Sequence, residues 1–251
     1  GKRGDTTVEV TTYRTEQYDP ESRKPEVEYG DSIHGDLSRR DFTVNSMALE
    51  LTGEKPEFID PFNGLQDLAA RVLRTPVRAG DSFNDDPLRM MRAARFASQL
   101  DFQIAPEVLS SMTDLAHRIS IISAERVRDE FIKIIMSPNP RIGITLLVDT
   151  GLADIVLPEI PKLRLEVDEH HHHKDVYEHS ITVLEQAIEL EDRLGGPNLV
   201  IRIAALLHDI GKPKTRAFIE GGGVSFHHHE VVGARLVKKR LQALRFDNET
   251  I

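Results

Sequence analysis

The sequence contains no cysteine. Disulfides and thiolate metal sites are excluded together, so histidine and the carboxylates are left as ligands, and a reducing, cytoplasmic setting is the expectation. No apolar run approaches the roughly 20 residues of a membrane span, and the opening Gly1-Lys2-Arg3-Gly4-Asp5 has no hydrophobic signal core, so no membrane partner is expected. A general excess of positive charge is also missing. The formal charge of −9 excludes a wholly basic nucleic-acid coat, because phosphate binding depends on Lys and Arg displacing counterions. Any RNA site must therefore be local. No unit repeats at a fixed period. There is no initiator Met, and strand-forming residues begin almost at once, so the chain is expected to be an interior piece of a longer protein.

What is present divides by pattern. At 251 residues two or three modules are expected. Thr6 to Arg14 is β-branched and alternating, which predicts a strand, and Tyr18 to Asp31, with Pro20 and Pro25, predicts an aperiodic loop. Asp41 to Leu51 suits a short helix. Phe58 to Asp60 and Val72 to Arg74 suit strands flanking a helix over Gly64 to Ala70. From Asp86 the apolar spacing turns helical, with helices expected over 86–100, 106–116, 124–136 and 140–150, interrupted at Pro106, Pro138 and Pro140. A second all-α module begins near 165, with helices over 175–192, 199–208 and 229–244. Gly221-Gly222-Gly223 marks a hairpin-like connection. The expected division is thus 1–80, 81–164 and 165–251.

Two arginine-rich segments carry candidate chemistry. In Arg39-Arg40-Asp41 a guanidinium can grip phosphate in two places, although Asp41 equally suits a helix N-cap with Arg39 as its surface partner. Asp85-Asp86-Pro87-Leu88-Arg89 opens a helix with Arg89, Arg92 and Arg95 three residues apart. A carboxylate and a guanidinium one turn apart can offer an acceptor and donors to a base edge, while the further arginines neutralise phosphates. The same string also suits an acidic first turn with arginines lying over apolar neighbours.

The order of these strings resembles the class II tRNA nucleotidyltransferase and bacterial poly(A) polymerase family. VEVTTYR (8–14) is similar to the strand after the family's metal-binding strand, GDLSRRDFTVNSMAL (35–49) to its RRDFT segment, and DPFNGLQDLAARVLRTP (60–76) to its DPFGG-type segment. SFNDDPLRMMRAARFASQLDF (82–102) is similar to its EDxxR segment and ISAERVRDEFIKII (122–135) to its neck helix. The resemblance implies a mainly α chain with a small α+β nucleotidyltransferase remnant: a polymerase-beta-like head fragment, a helical neck and an all-α HD domain. It implies template-independent addition of nucleotides to an RNA 3′ end, CCA addition to tRNA from CTP and ATP, with Mg²⁺ as cofactor; poly(A) addition is the close alternative. By the same resemblance Asp86 and Arg89 would read the incoming base, Arg40, Arg92 and Arg95 would hold the triphosphate, and Asp41 would orient Arg40. Glu9 would be a supporting carboxylate, unless it is a solvent-side strand residue. Asp85 departs from the family's Glu. The family's Asp-x-Asp carboxylates precede the first strand, so the chain is expected to be inactive alone.

HHHHKDVYEHSITVL (170–184), LLHDIGK (206–212) and SFHHHEVVGA (225–234) resemble the HD phosphohydrolase superfamily. This implies a divalent metal of unknown identity held by His179, His208, Asp209 and His229, with Lys212 contacting substrate phosphate. A metal-dependent phosphohydrolase is therefore the second functional expectation, and a non-catalytic RNA-binding piece the third.

Overall fold

The computed structural model describes residues 32–165, 175–219 and 224–251, and the backbone alone of β1 (Lys2–Arg3), β2 (Thr6–Thr7), β3 (Arg14–Gln17) and β4 (Glu26–Tyr29). β1 pairs antiparallel with β2, and β3 with β4. Residues 8–13 of the expected first strand, Glu9 among them, lie outside the described residues. The loop expected over 18–31 ends instead in a strand.

The helix expected over 41–51 does not form. Thr43–Asn45 makes a single 3₁₀ turn and the chain then runs into β5 (Ala48–Glu50), paired antiparallel with β6 (Glu57–Ile59), Leu49 opposite Phe58. The reason is local competition for backbone bonds. Asp41 Oδ1 accepts from Phe42 N at 2.9 Å and Asn45 Nδ2 at 3.1 Å, and Ser46 Oγ donates to Phe42 O at 2.8 Å, which closes the turn before a second can grow. Ahead of it α1 (Ile33–Ser38) is capped by Ser32. α2 (Gly64–Ala70) is started by Asp60, whose two oxygens take Gly64 N at 2.6 Å and Leu65 N at 2.9 Å. β7 (Val72–Leu73) pairs in parallel with β8 (Gln103–Ile104), which ties this small α+β unit to the helices that follow.

α3 (Ala79–Asp85), which like α1 lies outside the expectation, precedes α4 (Leu88–Leu100), and Asp86-Pro87 separates them because proline disfavours helical backbone in the residue before it. α5 (Pro106–Leu115), α6 (Ala124–Ile135) and α7 (Pro140–Asp149) fall within a residue of expectation. α4 is the hub, burying Met90, Met91, Ala93, Ala94 and Ala97 completely against α6 and α7. Its small residues permit close approach. A Cβ on Gly143 of α7 would stand 2.2 Å from Ser98 Oγ, 2.7 Å from Ile134 Cγ2 and 3.0 Å from Ala94 O. Gly143→Ala is therefore expected to cost about 1–3 kcal/mol through overpacking, read as a lower urea midpoint.

After α8 (Leu152–Val156) the second helical module comprises α9 (Val176–Glu189), α10 (Leu199–Leu207), the short α11 (Lys212–Thr215) and α12 (His229–Ala243), with β9 (Ala217–Phe218) and β10 (Val224–Ser225) pairing antiparallel. Gly221-Gly222-Gly223 between those strands lies outside the described residues, as does His170–His173. Arginines stitch this module to the neck. Arg202 donates to both oxygens of Glu191 at 2.6 Å and to Ile135 O and Ser137 O at the end of α6, at 2.8 and 2.9 Å. Arg141 bridges Glu185 and Glu178, and Arg240 grips Glu159. The chain is mainly α with a small α+β part, and no helix among the described residues is long and apolar enough to cross a membrane.

Candidate functional site

The first cluster forms where α3, α4 and the segment after α1 meet. The break at Asp86-Pro87 turns Asp86 back onto the start of α4, and its Oδ1 accepts from Leu88 N at 3.1 Å. Its Oδ2 is held by Arg126 Nη2 at 2.9 Å, from the first turn of α6. Arg89, one turn on, donates to Ser82 Oγ at 2.8 Å and to the carbonyl of Arg39. That last bond brings the two arginine segments, 50 residues apart in sequence, to one surface.

A second tie runs beside it. Asp41 is buried and its Oδ2 accepts from Arg92 Nη2 at 2.6 Å and Nε at 2.9 Å, while Oδ1 serves as the turn cap described above. Asp41 therefore neither caps a helix nor holds Arg40: its carboxylate ties Arg92 of α4 to the turn. Arg40 is half exposed and pairs with Asp36 at 3.2 Å rather than with Asp41. Arg95 turns the other way. Its Nε lies 2.8 Å from Glu130 Oε2 and its guanidinium 4.1 Å over the Phe96 ring, inside the α4–α6 contact, and burial lowers its pKa. Arg40, Arg89 and Arg92 keep partly exposed guanidinium groups, each held by a different partner: Asp36, Ser82 with the Arg39 carbonyl, and Asp41. Sequence reasoning missed Arg126, Ser82 and Glu130, whose partners lie far away in sequence or on a neighbouring helix.

The second cluster gathers four elements. His179 comes from α9, His208 and Asp209 from the end of α10, Lys212 from the start of α11, and His229 from the start of α12. Ligand atoms of His179, His208 and Asp209 all lie within 4.8 Å of one another. Asp209 Oδ2 is 3.0 Å from His208 Nε2 and 3.7 Å from His179 Nε2, and Oδ1 is 3.4 Å from His229 Nε2. His208 Nδ1 donates to Ala205 O and His229 Nδ1 to Phe226 O, each at 2.9 Å, which leaves Nε2 of each ring facing Asp209. Lys212 Nζ sits 2.9 Å from Asp209 Oδ2 and 5.7 Å over Phe226. Burial works to raise the Asp209 pKa, yet contacts with His208 and Lys212 outweigh it and hold the carboxyl at about 2. Burial likewise works to lower the His208 pKa, and the bonds to Asp209 and Ala205 leave it raised.

With Nε2 deprotonated, His179, His208 and Asp209 are chemically and geometrically suited to a borderline divalent metal, and His229 Nε2 lies beside them, 3.4 Å from Asp209 Oδ1. The geometry depends on a glycine. A Cβ on Gly211 would stand 2.0 Å from His229 O and 2.7 Å from Gly233 N. Gly211→Ala is expected to push α12 outward, carrying His229 away from Asp209, and so to weaken divalent-metal binding, roughly 10- to 100-fold as for a disturbed supporting shell. Metal titration of the variant checks this.

Residues 2–74 match the poly A polymerase head domain, residues 101–163 the probable RNA and SrmB-binding site of polymerase A, and residues 176–251 the HD domain. The A-adding tRNA nucleotidyltransferase of Deinococcus radiodurans is 39% identical over 220 residues, covering 85% of this chain and 49% of that protein. The Multifunctional CCA protein of Hahella chejuensis is 38% identical over 214 residues, 82% of this chain and 47% of that protein. The chain spans about half the length of these curated relatives. Among solved structures, a tRNA-processing enzyme in an apo form superposes with a TM-score of 0.62 at 19% identity, covering 88% of this chain and 55% of that one, which supports the fold. With the head, RNA-binding and HD segments in that order along one polypeptide, the chain belongs to the class II tRNA nucleotidyltransferase and bacterial poly(A) polymerase family.

Proposed function

We propose that the protein carrying this chain adds nucleotides to an RNA 3′ end without a template, placing CCA on tRNA from CTP and ATP, and that residues 1–80 are its head fragment, 81–164 its neck and 165–251 its HD domain. The observation that carries the reading is the bond from Arg89 to the Arg39 carbonyl, which joins the base-reading and phosphate-gripping segments. The A-adding and CCA-adding names of the relatives support it.

The chemistry follows from donor and acceptor inventory. Cytosine and adenine each present an amino group beside an unprotonated ring nitrogen; uracil and guanine present a carbonyl beside a ring N–H. Asp86 accepts and Arg89 donates, so the pair suits the first two bases and opposes the others. Arg40 and Arg92 bind the triphosphate, and Asp41 fixes Arg92 for that task. Arg95, tied to Glu130, sets the spacing of α4 and α6 behind them. The RNA 3′ hydroxyl attacks the α-phosphorus and pyrophosphate leaves. Mg²⁺ is the cofactor we assign to this transfer, to neutralise phosphate charge, with Glu9 a supporting carboxylate. To test the reading, labelled CTP and ATP are offered with Mg²⁺ and tRNA lacking its CCA end to the protein carrying this chain together with the family's Asp-x-Asp strand. Incorporation is expected, and none would refute it.

The convergence of His179, His208 and Asp209 favours a second activity at the HD cluster: hydrolysis of phosphoesters at RNA ends, with Lys212 shared between Asp209 and substrate phosphate. A bound divalent metal would supply a hydroxide nucleophile there. His208→Ala is expected to abolish both metal uptake and hydrolysis, and equal hydrolysis rates in variant and wild type would dismiss the activity.

A further inference from the structure

One strongly cationic surface is used by neither cluster. From Val231 to Phe246 the chain carries Arg235, Lys238, Lys239, Arg240 and Arg245 and no acid, in a protein of net charge −9. Most of this stretch is α12. Spacings of three and four put Arg235, Lys238, Lys239 and Gln242 on one face of the helix, and all four are exposed. Arg240 alone turns inward, to Glu159. Among the described residues Arg235, Lys238, Lys239 and Arg245 make no ion pair. Like charges at these spacings destabilise a helix by about 0.2–0.5 kcal/mol per pair, so a face needed only for solubility would be better served by alternating signs.

Placement gives the stripe a direction. α12 begins at His229, in the histidine cluster, and its 15 residues span about 22 Å. Just beyond its other end the carbonyl of Arg245 receives Arg128, on α6, two residues past the Arg126 that holds Asp86. The helix therefore runs from the HD cluster to the neck helix that supports the nucleotide-side cluster. We propose that the exposed face of α12 is a phosphate-contact track for RNA, gripping the backbone of the same strand whose 3′ end the two clusters address. Only the identity of the polyanion rests on the nucleotidyltransferase reading.

The test is fluorescence anisotropy of a labelled RNA hairpin with a single-stranded 3′ tail, titrated with the 251-residue chain across a salt series. Arg235→Gln/Lys238→Gln/Lys239→Gln is expected to reduce the steepness of log affinity against log salt by about 2, near 0.7 for each single-strand phosphate left without its cation. The charge-keeping Arg235→Lys/Lys238→Arg/Lys239→Arg is expected to retain the wild-type slope. An unchanged slope in the triple Gln variant, with its thermal melt intact, would overturn the track. So would absence of salt-dependent RNA binding by wild type, or an effect of the Gln variant confined to vesicles of anionic lipid. Nucleotide titration of Arg89→Ala keeps the two readings apart, since the base site fails or stands there whatever the RNA slope does.

Discussion

Replacing Arg202 by Met is expected to destabilise the protein by about 3–5 kcal/mol, because it leaves the Glu191 carboxylate buried without its partner. The carbonyls of Ile135 and Ser137 lose their donor in the same step. In a protein of this length the melting temperature should fall on the order of 10 °C. Replacing both partners, Arg202→Met with Glu191→Leu, is expected to recover most of the loss, since an apolar pair leaves no charge stranded. The same clamp has a pH signature. The hydrogen bonds from Arg202 lower the Glu191 pKa below its ordinary 4.5, so the stabilisation is present above that value and is lost as pH falls through the depressed one. Urea midpoints measured on wild type and Arg202→Met from pH 7 downward should converge in acid.

Arg89→Ala is expected to weaken CTP and ATP binding about 10- to 100-fold, the effect of removing a charged hydrogen bond of roughly 1.5–3 kcal/mol. Arg89→Lys should not restore it, because an ammonium lacks the planar fork that spans Ser82, the Arg39 carbonyl and a base edge. The loss should appear in affinity with little change in unfolding, since Arg89 is partly exposed and its fold contacts are single hydrogen bonds. Equilibrium titration beside a thermal melt separates the two effects.

Both clusters lie on strings that the sequence displays, and the positions of α4 to α7, α9, α10 and α12 follow from apolar spacing and proline breaks, whereas the short α1, α3, α8 and α11 do not. The helical face of Leu88 to Leu100 is visible because burial repeats every three or four residues. What the strings do not display is partner choice. Arg89, Arg92 and Arg95 look equivalent along α4, yet packing sends Arg92 to Asp41 and Arg95 to Glu130, and leaves Arg89 against Arg39. Arg126 reaches Asp86 across 40 residues, a contact that exists only once α6 packs on α4. The turn at Asp41 to Ser46 is hidden for a different reason: its apolar spacing is helical, and side-chain bonds to the backbone override it. In the HD cluster, the position of His229 beside Asp209 depends on the close approach of Gly211 to the start of α12.

On the function proposed above, nucleotide choice would rest on Asp86 accepting from the amino group of a bound base while Arg89 donates beside it. Competitive titration of CTP and UTP against wild type and Asp86→Asn tests this directly, because an amide offers a donor as well as an acceptor. Wild type is expected to prefer CTP, and Asp86→Asn to bring the two nucleotides close to parity. A variant that keeps the full wild-type preference, or a wild type that has none, would contradict it.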